Sequence, residues 1–408
     1  MKYLPLDTAG VNRVGYQQQV KEANIKHIFD LVRSGRCKSR AELVRMMKLS
    51  ATSVSVLVEE LAARRLISET GPAHTTLPGR RPISLTLNSN ERQIAVVTLK
   101  RDGVRYALLN LACEVVESHF FPLEAAGLPK DDAGDAYAAL IEDVLSKARR
   151  FNRKKALAVG ICFPGVYMQN GGNFSNISAL GVNFSEASMV RLRDALRLPV
   201  YLFNATKGLA YAEKKRLDAI NPDDPETLDM IFVEIHDRIS SALISRGSIY
   251  TGPYNASGEV GHMTLQFGGR PCACGNRGCL ERYVNQSAIL EDARAACEQA
   301  GLEPPATLEE LGRRYPDETA LNDAVMNSAR MLASGLYSVL VSSGLRNVVL
   351  GGGIEFLGEP FLKELRRELK KRDVLICDLK LNYAQAGPDA ECVGLAQYFL
   401  DKIYTITT

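Results

Sequence analysis

The run "GEVGHMTLQFGGRPCACGNRGCLERY", Gly258 to Tyr283, constrains this chain more than any other stretch. It gathers His262, Cys272, Cys274 and Cys279 into a segment with little regular periodicity, where Gly268, Gly269, Gly275 and Gly278 let the backbone fold tightly. Three thiolates and one imidazole are the inventory of a closed tetrahedral zinc site. The other six cysteines, Cys37, Cys113, Cys162, Cys297, Cys377 and Cys392, are dispersed along the chain. A closed site keeps no open position for water, which makes a structural ion the expectation. A catalytic ion would require one ligand to leave, and four unrelated residues with no metal are the remaining reading. Glu259 and Glu281 stand on either side of the cluster. Fixed carboxylates there would suit hydroxyl-rich ligands such as sugars, although glutamates also commonly cap nearby helices.

An odd, mostly scattered set of cysteines fits reduced thiols and not a disulfide frame. The chain shows neither a cleavable leader nor an apolar stretch long enough to span a bilayer, so no membrane insertion and a cytoplasmic location are the expectations. With 408 residues, 46% of them hydrophobic, it can bury a large core in two or three domains without staples.

Charge is unevenly spread. Residues 1–90 hold 14 Lys/Arg against 7 Asp/Glu, whereas the remainder holds 36 against 40. A basic front end on a slightly acidic body suggests that the first segment meets a polyanion. Within it, Val20, Ile25, Ile28, Phe29 and Val32 recur at helical spacing over Gln17 to Val32. Ser39 and Glu42 form a capping box that starts a short helix at Arg40, ending near Lys48. After a turn at Leu49-Ser50, the stripe Val54, Leu57, Val58 and Leu61 predicts a second helix with a small, hydroxylated outer face. Two short helices joined by a tight turn describe a helix-turn-helix whose second helix can enter a major groove, with a helical protein-interaction domain as the alternative reading. Ser50, Ala51, Thr52, Ser53 and Ser55 are the expected contacts there, letting backbone amides approach phosphates. "LISETG" and "RRPISLTLN" then bracket a polar loop as a β-hairpin wing would, with Arg80 and Arg81 placed to reach a phosphate or minor groove. The expected domain is therefore a winged helix over residues 1–90. Because Ser50 to Val58 contains no Arg, Lys, Asn or Gln, bidentate base readout is expected to be sparse and phosphate contacts to carry much of the affinity.

After Asn90, "RQIAVVTLK", "VRYALLNL" and "EVVESHFFPL" read as strands, with Asp102-Gly103 as a hairpin signal. A helix from about Asp135 to Arg150 and the strand "ALAVGICF" follow. The order recurs in "DMIFVEIH", "ISSALISRG", helices between about Ser287 and Val341, and "RNVVLGGG". This repetition predicts a duplicated α/β body over residues 91–408 with a cleft between lobes.

The pattern G-H-x9-C-x-C-G-x2-G-C-x-E, preceded by "GE", resembles the signature of the ROK family of bacterial sugar kinases and sugar-responsive repressors. The winged helix ending in "GRRP" resembles the regulator branch, the repressors of the xylose, N-acetylglucosamine and "making large colonies" type. The resemblance covers nearly the whole chain. It implies an actin- and hexokinase-like ATPase fold for the body, with lobes of about 91–205 plus a C-terminal helix and about 206–390. It also implies a homodimer or homotetramer, operator DNA and a sugar or sugar-phosphate effector as partners, and, for some relatives, readout by a transporter protein.

Carried over by position, the resemblance makes His262, Cys272, Cys274 and Cys279 the zinc ligands and Asn204, Glu259, His262 and Glu281 the sugar contacts. "LPVYLFNATKGLAYAE" is similar to the family's E-N-D-A-x-x-x-A-x-A-E, but Ala205 stands where kinases carry the aspartate that takes the proton from the attacking hydroxyl. The two phosphate loops should fall at "VVTLKRD" and "IHDRISS", which lack the small residues that let amides approach phosphates. Only "LGGG" at Leu350 to Gly353 survives, so no catalytic residue and no ATP are expected. The reading from sequence is a sugar-responsive DNA-binding repressor of carbohydrate-utilisation genes and not an enzyme. A ROK sugar kinase with an added N-terminal domain is the rival, and a scaffold that has lost both ligands is a third reading.

Overall fold

The computed structural model describes residues 16–72, 83–100, 103–122, 133–170, 173–178, 186–221, 225–252, 255–372 and 378–404. The chain divides into two compact units, one made of Met1–Gly165, Gln169–Gly208 and Glu391–Thr408, the other of Val166–Met168 and Leu209–Ala390.

The first unit begins with α1 (Tyr16–Arg33), α2 (Arg40–Met47) and α3 (Ala51–Ala63), followed by the antiparallel pair β1 (Ile67–Pro72) and β2 (Ile83–Leu87). Apolar spacing decides the helices: Ile25, Ile28, Phe29, Leu43, Val54, Leu57, Val58 and Leu61 are buried together. The capping box forms with one change. The Glu42 amide donates to Ser39 Oγ at 3.3 Å, but the Glu42 carboxylate accepts from the Lys38 amide at 2.7 Å, one residue earlier than the usual reciprocal bond. Lys48 ends α2 in the left-handed region.

Next come β3 (Gln93–Lys100), β4 (Gly103–Asn110), β5 (Val115–Pro122), α4 (Ala133–Lys147), β6 (Ala156–Phe163), β7 (Gly165–Asn170), β8 (Asn173–Ser178), α5 (Glu186–Leu196), β9 (Val200–Asn204) and α6 (Ala205–Ile220). The main sheet has the order β5-β4-β3-β6-β9. The hairpin signalled by Asp102-Gly103 forms: β3 and β4 pair antiparallel, and Gly103 faces Lys100 at the end of their ladder. Its glycine is needed because a Cβ would lie 2.4 Å from the Phe121 carbonyl oxygen on β5.

The second unit carries β10 (Met230–Ile235), β11 (Ile239–Ser245), β12 (Ser248–Tyr250), α7 (Glu281–Val284), α8 (Gln286–Ala300), α9 (Leu308–Arg314), α10 (Thr319–Ser343), β13 (Asn347–Gly351), α11 (Gly358–Lys370) and β14 (Lys380–Tyr383). Its sheet has the order β12-β11-β10-β13-β14. In each sheet the first three strands are antiparallel and the last two add in parallel, so the same topology occurs twice. The buried face of α10, with Leu321, Val325, Ala329, Leu332 and Leu336, supplies much of this unit's core.

The chain closes with α12 (Ala390–Tyr398) and a π-helical turn over Phe399–Ile403. Within the first unit, Lys100 Nζ meets Glu391 at 2.8 Å, while at the far end Arg33 of α1 pairs with Asp401 and the Phe29 and Tyr404 rings meet edge-on at 6.0 Å. No described helix is long and apolar enough to cross a membrane.

Candidate metal and ligand site

Backbone bonds shape the knuckle before any ion is considered. Leu265 N–H donates to Gly278 O at 2.7 Å, Gly278 N–H to Arg270 O at 2.8 Å, Cys272 N–H to Asn276 O at 2.9 Å and Leu280 N–H to Met263 O at 2.9 Å. Gly278 has φ +81°, and a Cβ there would sit 1.6 Å from the Gln266 carbonyl oxygen, so no other residue closes this loop.

His262, Cys272, Cys274 and Cys279 each offer a ligand atom, and these atoms all lie within 4.8 Å of one another. Cys274 Sγ and Cys279 Sγ are 3.7 Å apart, as are Cys272 Sγ and His262 Nδ1. A tetrahedral zinc site requires edges of about 3.8 Å between sulfurs and about 3.6 Å between sulfur and nitrogen. The donor set and its spacing therefore fit such an ion. Burial pushes the Cys272 thiol up to about 12 and raises that of Cys279, whereas the Asn276 amide holds exposed Cys274 below the ordinary thiol value. A divalent cation reverses this preference by displacing the protons.

The two glutamates are not equivalent. Glu281, first residue of α7, is buried, with Oε1 3.0 Å from Cys272 Sγ and 3.6 Å from His262 Nδ1, while Oε2 is buried with no partner among the described residues. Glu259 is exposed at the start of the short turn Val260–His262. Their symmetry in sequence is lost because α7 turns Glu281 inward onto the cysteines. Asn204, in the first unit, caps α6: its Oδ1 accepts from the Lys207 amide at 2.9 Å and its Nδ2 donates to Gly165 O at 2.7 Å. Buried Ala205 follows it with only a methyl group.

Sequence reading passed over Arg270 and Tyr283. The Arg270 amide donates to the Tyr283 hydroxyl at 2.9 Å, its guanidinium lies 4.9 Å from the Tyr283 ring centre and it pairs with Asp292 at 2.7 Å. These contacts brace the loop against α7 and α8. No periodicity joins residues so far apart on a glycine-rich loop, so no signal was available.

The second phosphate-loop position is the β10–β11 turn, where His236, Asp237 and Arg238 are exposed and His236 N–H donates to Arg238 O at 3.0 Å. Beneath the surviving glycines, Gln286 Nε2 donates to Gly352 O and would lie 2.5 Å from a Cβ at Gly353. Part of the first loop position, residues 101–102, lies outside the described residues.

At the start of α3, Ser50 caps the helix by accepting from the Ser53 amide at 3.1 Å, and Ala51, Thr52 and Ser53 are exposed. Ser55 is half-buried, and its carbonyl accepts from Arg40 at 3.4 Å. Arg80 and Arg81 lie outside the described residues.

A family model described as "ROK family" matches residues 99–401. The chain is 25% identical over 395 residues to the xylose repressor of Bacillus subtilis strain 168, covering 96% of this chain and 98% of that one. Among solved structures, a ROK family transcriptional regulator described as a homolog of E. coli MLC protein superposes with a TM-score of 0.75 at 22% identity, covering 94% of this chain and 98% of its own. The ROK hexokinase of Thermus thermophilus superposes with a TM-score of 0.60 at 21% identity over 75% of this chain and 97% of its own. These likenesses establish the α/β fold of the body.

Proposed function

The chain belongs to the ROK family, and from that premise we propose that it is a sugar-responsive, DNA-binding transcriptional repressor of carbohydrate-utilisation genes that transfers no phosphate. One observation carries the reading: a complete helix-turn-helix with a β1–β2 hairpin precedes a body in which α6 opens at Ala205. A methyl group cannot take a proton from an attacking sugar hydroxyl. The name of the Bacillus relative, which aligns over nearly the full length of both chains, supports the same reading.

Residues 1–90 are the DNA-binding domain in this proposal, with Ser50, Ala51, Thr52, Ser53, Ser55, Arg80 and Arg81 approaching operator phosphates and base edges. His262, Cys272, Cys274 and Cys279 hold a structural zinc, which fixes the loop carrying Glu259 and Glu281. The effector, a sugar or sugar phosphate, is held by Asn204, Glu259, His262 and Glu281. Because the capping bonds already use one amide hydrogen and one lone pair of Asn204, that residue brings only the remaining pair to a ligand. The assembly is a cytoplasmic homodimer or homotetramer. Effector binding shifts DNA affinity by its unequal affinity for the two states of the protein.

The test is a DNA titration on the gene's own upstream region at about 0.15 M salt, repeated with a panel of sugars and sugar phosphates. Preference for that region over random DNA, altered by one sugar, is expected. Absence of any preference, or ATP-dependent phosphorylation of a hexose above background, overturns the proposal.

A further inference from the structure

Helix α3 carries an exposed apolar residue that folding does not explain. Its buried stripe is Val54, Leu57, Val58 and Leu61, and at 100° per residue Thr52, Val56 and Glu59 stand on the opposite side. All three are exposed, and Val56 is 53% exposed. A β-branched side chain at a solvated helix position lowers helix propensity relative to alanine. Val56 therefore gives the isolated domain neither a packed core contact nor a better helix.

Two nearby cations are held by carboxylates. Arg40 pairs with Glu69 at 2.7 Å and Glu59 at 3.5 Å, and Arg64 pairs with Glu60. The outward stripe thus presents a methyl and hydroxyl at Thr52, two methyls at Val56 and a carboxylate partly matched by Arg40. In the major groove only the A·T pair presents an apolar group, the C5-methyl of thymine.

We infer that Val56 reads a thymine methyl group in the major groove, so that base selection by α3 rests on apolar contact where a bidentate cation is usual. The inference rests on the DNA-binding reading above. It commits the outer face of α3 to an A·T step in each half-site, with Thr52, one turn earlier, as the second methyl-bearing contact.

The experiment uses the full-length protein and the tightest duplex enriched from a random pool. Each thymine of the half-site is replaced in turn by deoxyuridine, which removes the C5-methyl and leaves every hydrogen-bonding group in place. Loss of one methyl contact is expected to weaken the wild-type protein about fourfold at one or two positions. Val56→Ala, which favours the helix, is expected to bind the thymine duplex about as weakly as wild type binds the uracil duplex, with the sensitivity at those positions gone. Val56→Thr, keeping one methyl, falls between.

A flat uracil scan with wild-type protein, or undiminished sensitivity in Val56→Ala, overturns the inference while leaving DNA binding intact. A change in oligomeric state on Val56→Ala with unchanged uracil sensitivity also overturns it, and assigns Val56 to a contact between copies of the chain. Failure to enrich any duplex overturns the DNA-binding reading itself.

Discussion

The cysteine-rich knuckle proposed to hold a metal and the winged helix are both small, and they keep their shapes by opposite means. The winged helix closes over Ile25, Ile28, Phe29, Leu43, Val54, Val58 and Leu61, with serine caps at Ser39 and Ser50. The knuckle between Met263 and Gly278 leaves Phe267 99% exposed and relies on backbone bonds, a tight glycine turn and four converging ligands. An apolar stripe tolerates exchange among residues of similar volume, whereas a ligand set fails with any member.

The largest expected effect separates the two directly. Removal of the ion by a strong chelator, or Cys279→Ser, should cost the second unit several kcal/mol, since structural zinc contributes about 10–16 kcal/mol in isolated finger peptides. Hydrogen exchange should show protection lost around residues 258–284 and retained in α1 to α3. Equal melting temperatures with and without measured metal would break the contrast. Leu61→Ala reverses the pattern: at a fully buried site it should cost about 2–5 kcal/mol in the winged helix. Metal content should stay unchanged while DNA binding falls.

A third test uses pH on the metal-free protein. Burial raises the folded Cys272 thiol from 9.0 to about 12, so above pH 9.0 the folded state holds a proton that the unfolded chain has released. Stability of the metal-free form should be full below that point and fall as pH rises toward about 12. The metal-loaded form, with its thiol already deprotonated, should lack this loss. A flat metal-free profile there would remove burial as the cause. The smallest effect is Ser39→Ala, expected to cost about 1 kcal/mol by removing the α2 cap. Urea melts followed by DNA affinity would measure it, and no change would show that the Lys38 to Glu42 bond caps the helix alone.

Much of the winged helix was legible because its signals are local. The helical stripe, the Ser39 capping box and the turn at Leu49-Ser50 each lie within a few residues, and α2 and α3 begin where those signals placed them. The repeated strand order was legible too, since each run of apolar residues has strand length and recurs. Asp102-Gly103 was legible as a hairpin signal, whereas only the approach of the Phe121 carbonyl shows why position 103 itself has no room for a side chain. The two glutamates looked alike because sequence records their spacing from the cysteines and not the direction that α7 imposes.

Residue chemistry alone determined the donor inventory at His262, Cys272, Cys274 and Cys279, the missing carboxylate at Ala205 and the basic bias of the first ninety residues. These are statements about which atoms exist, and folding cannot add a donor that is absent. Tertiary structure alone decided that the four ligand atoms converge within 4.8 Å and that Glu281 turns inward. Direction and proximity depend on contacts between residues far apart in the chain, such as Arg270 with Tyr283 and Asp292, which local periodicity does not encode.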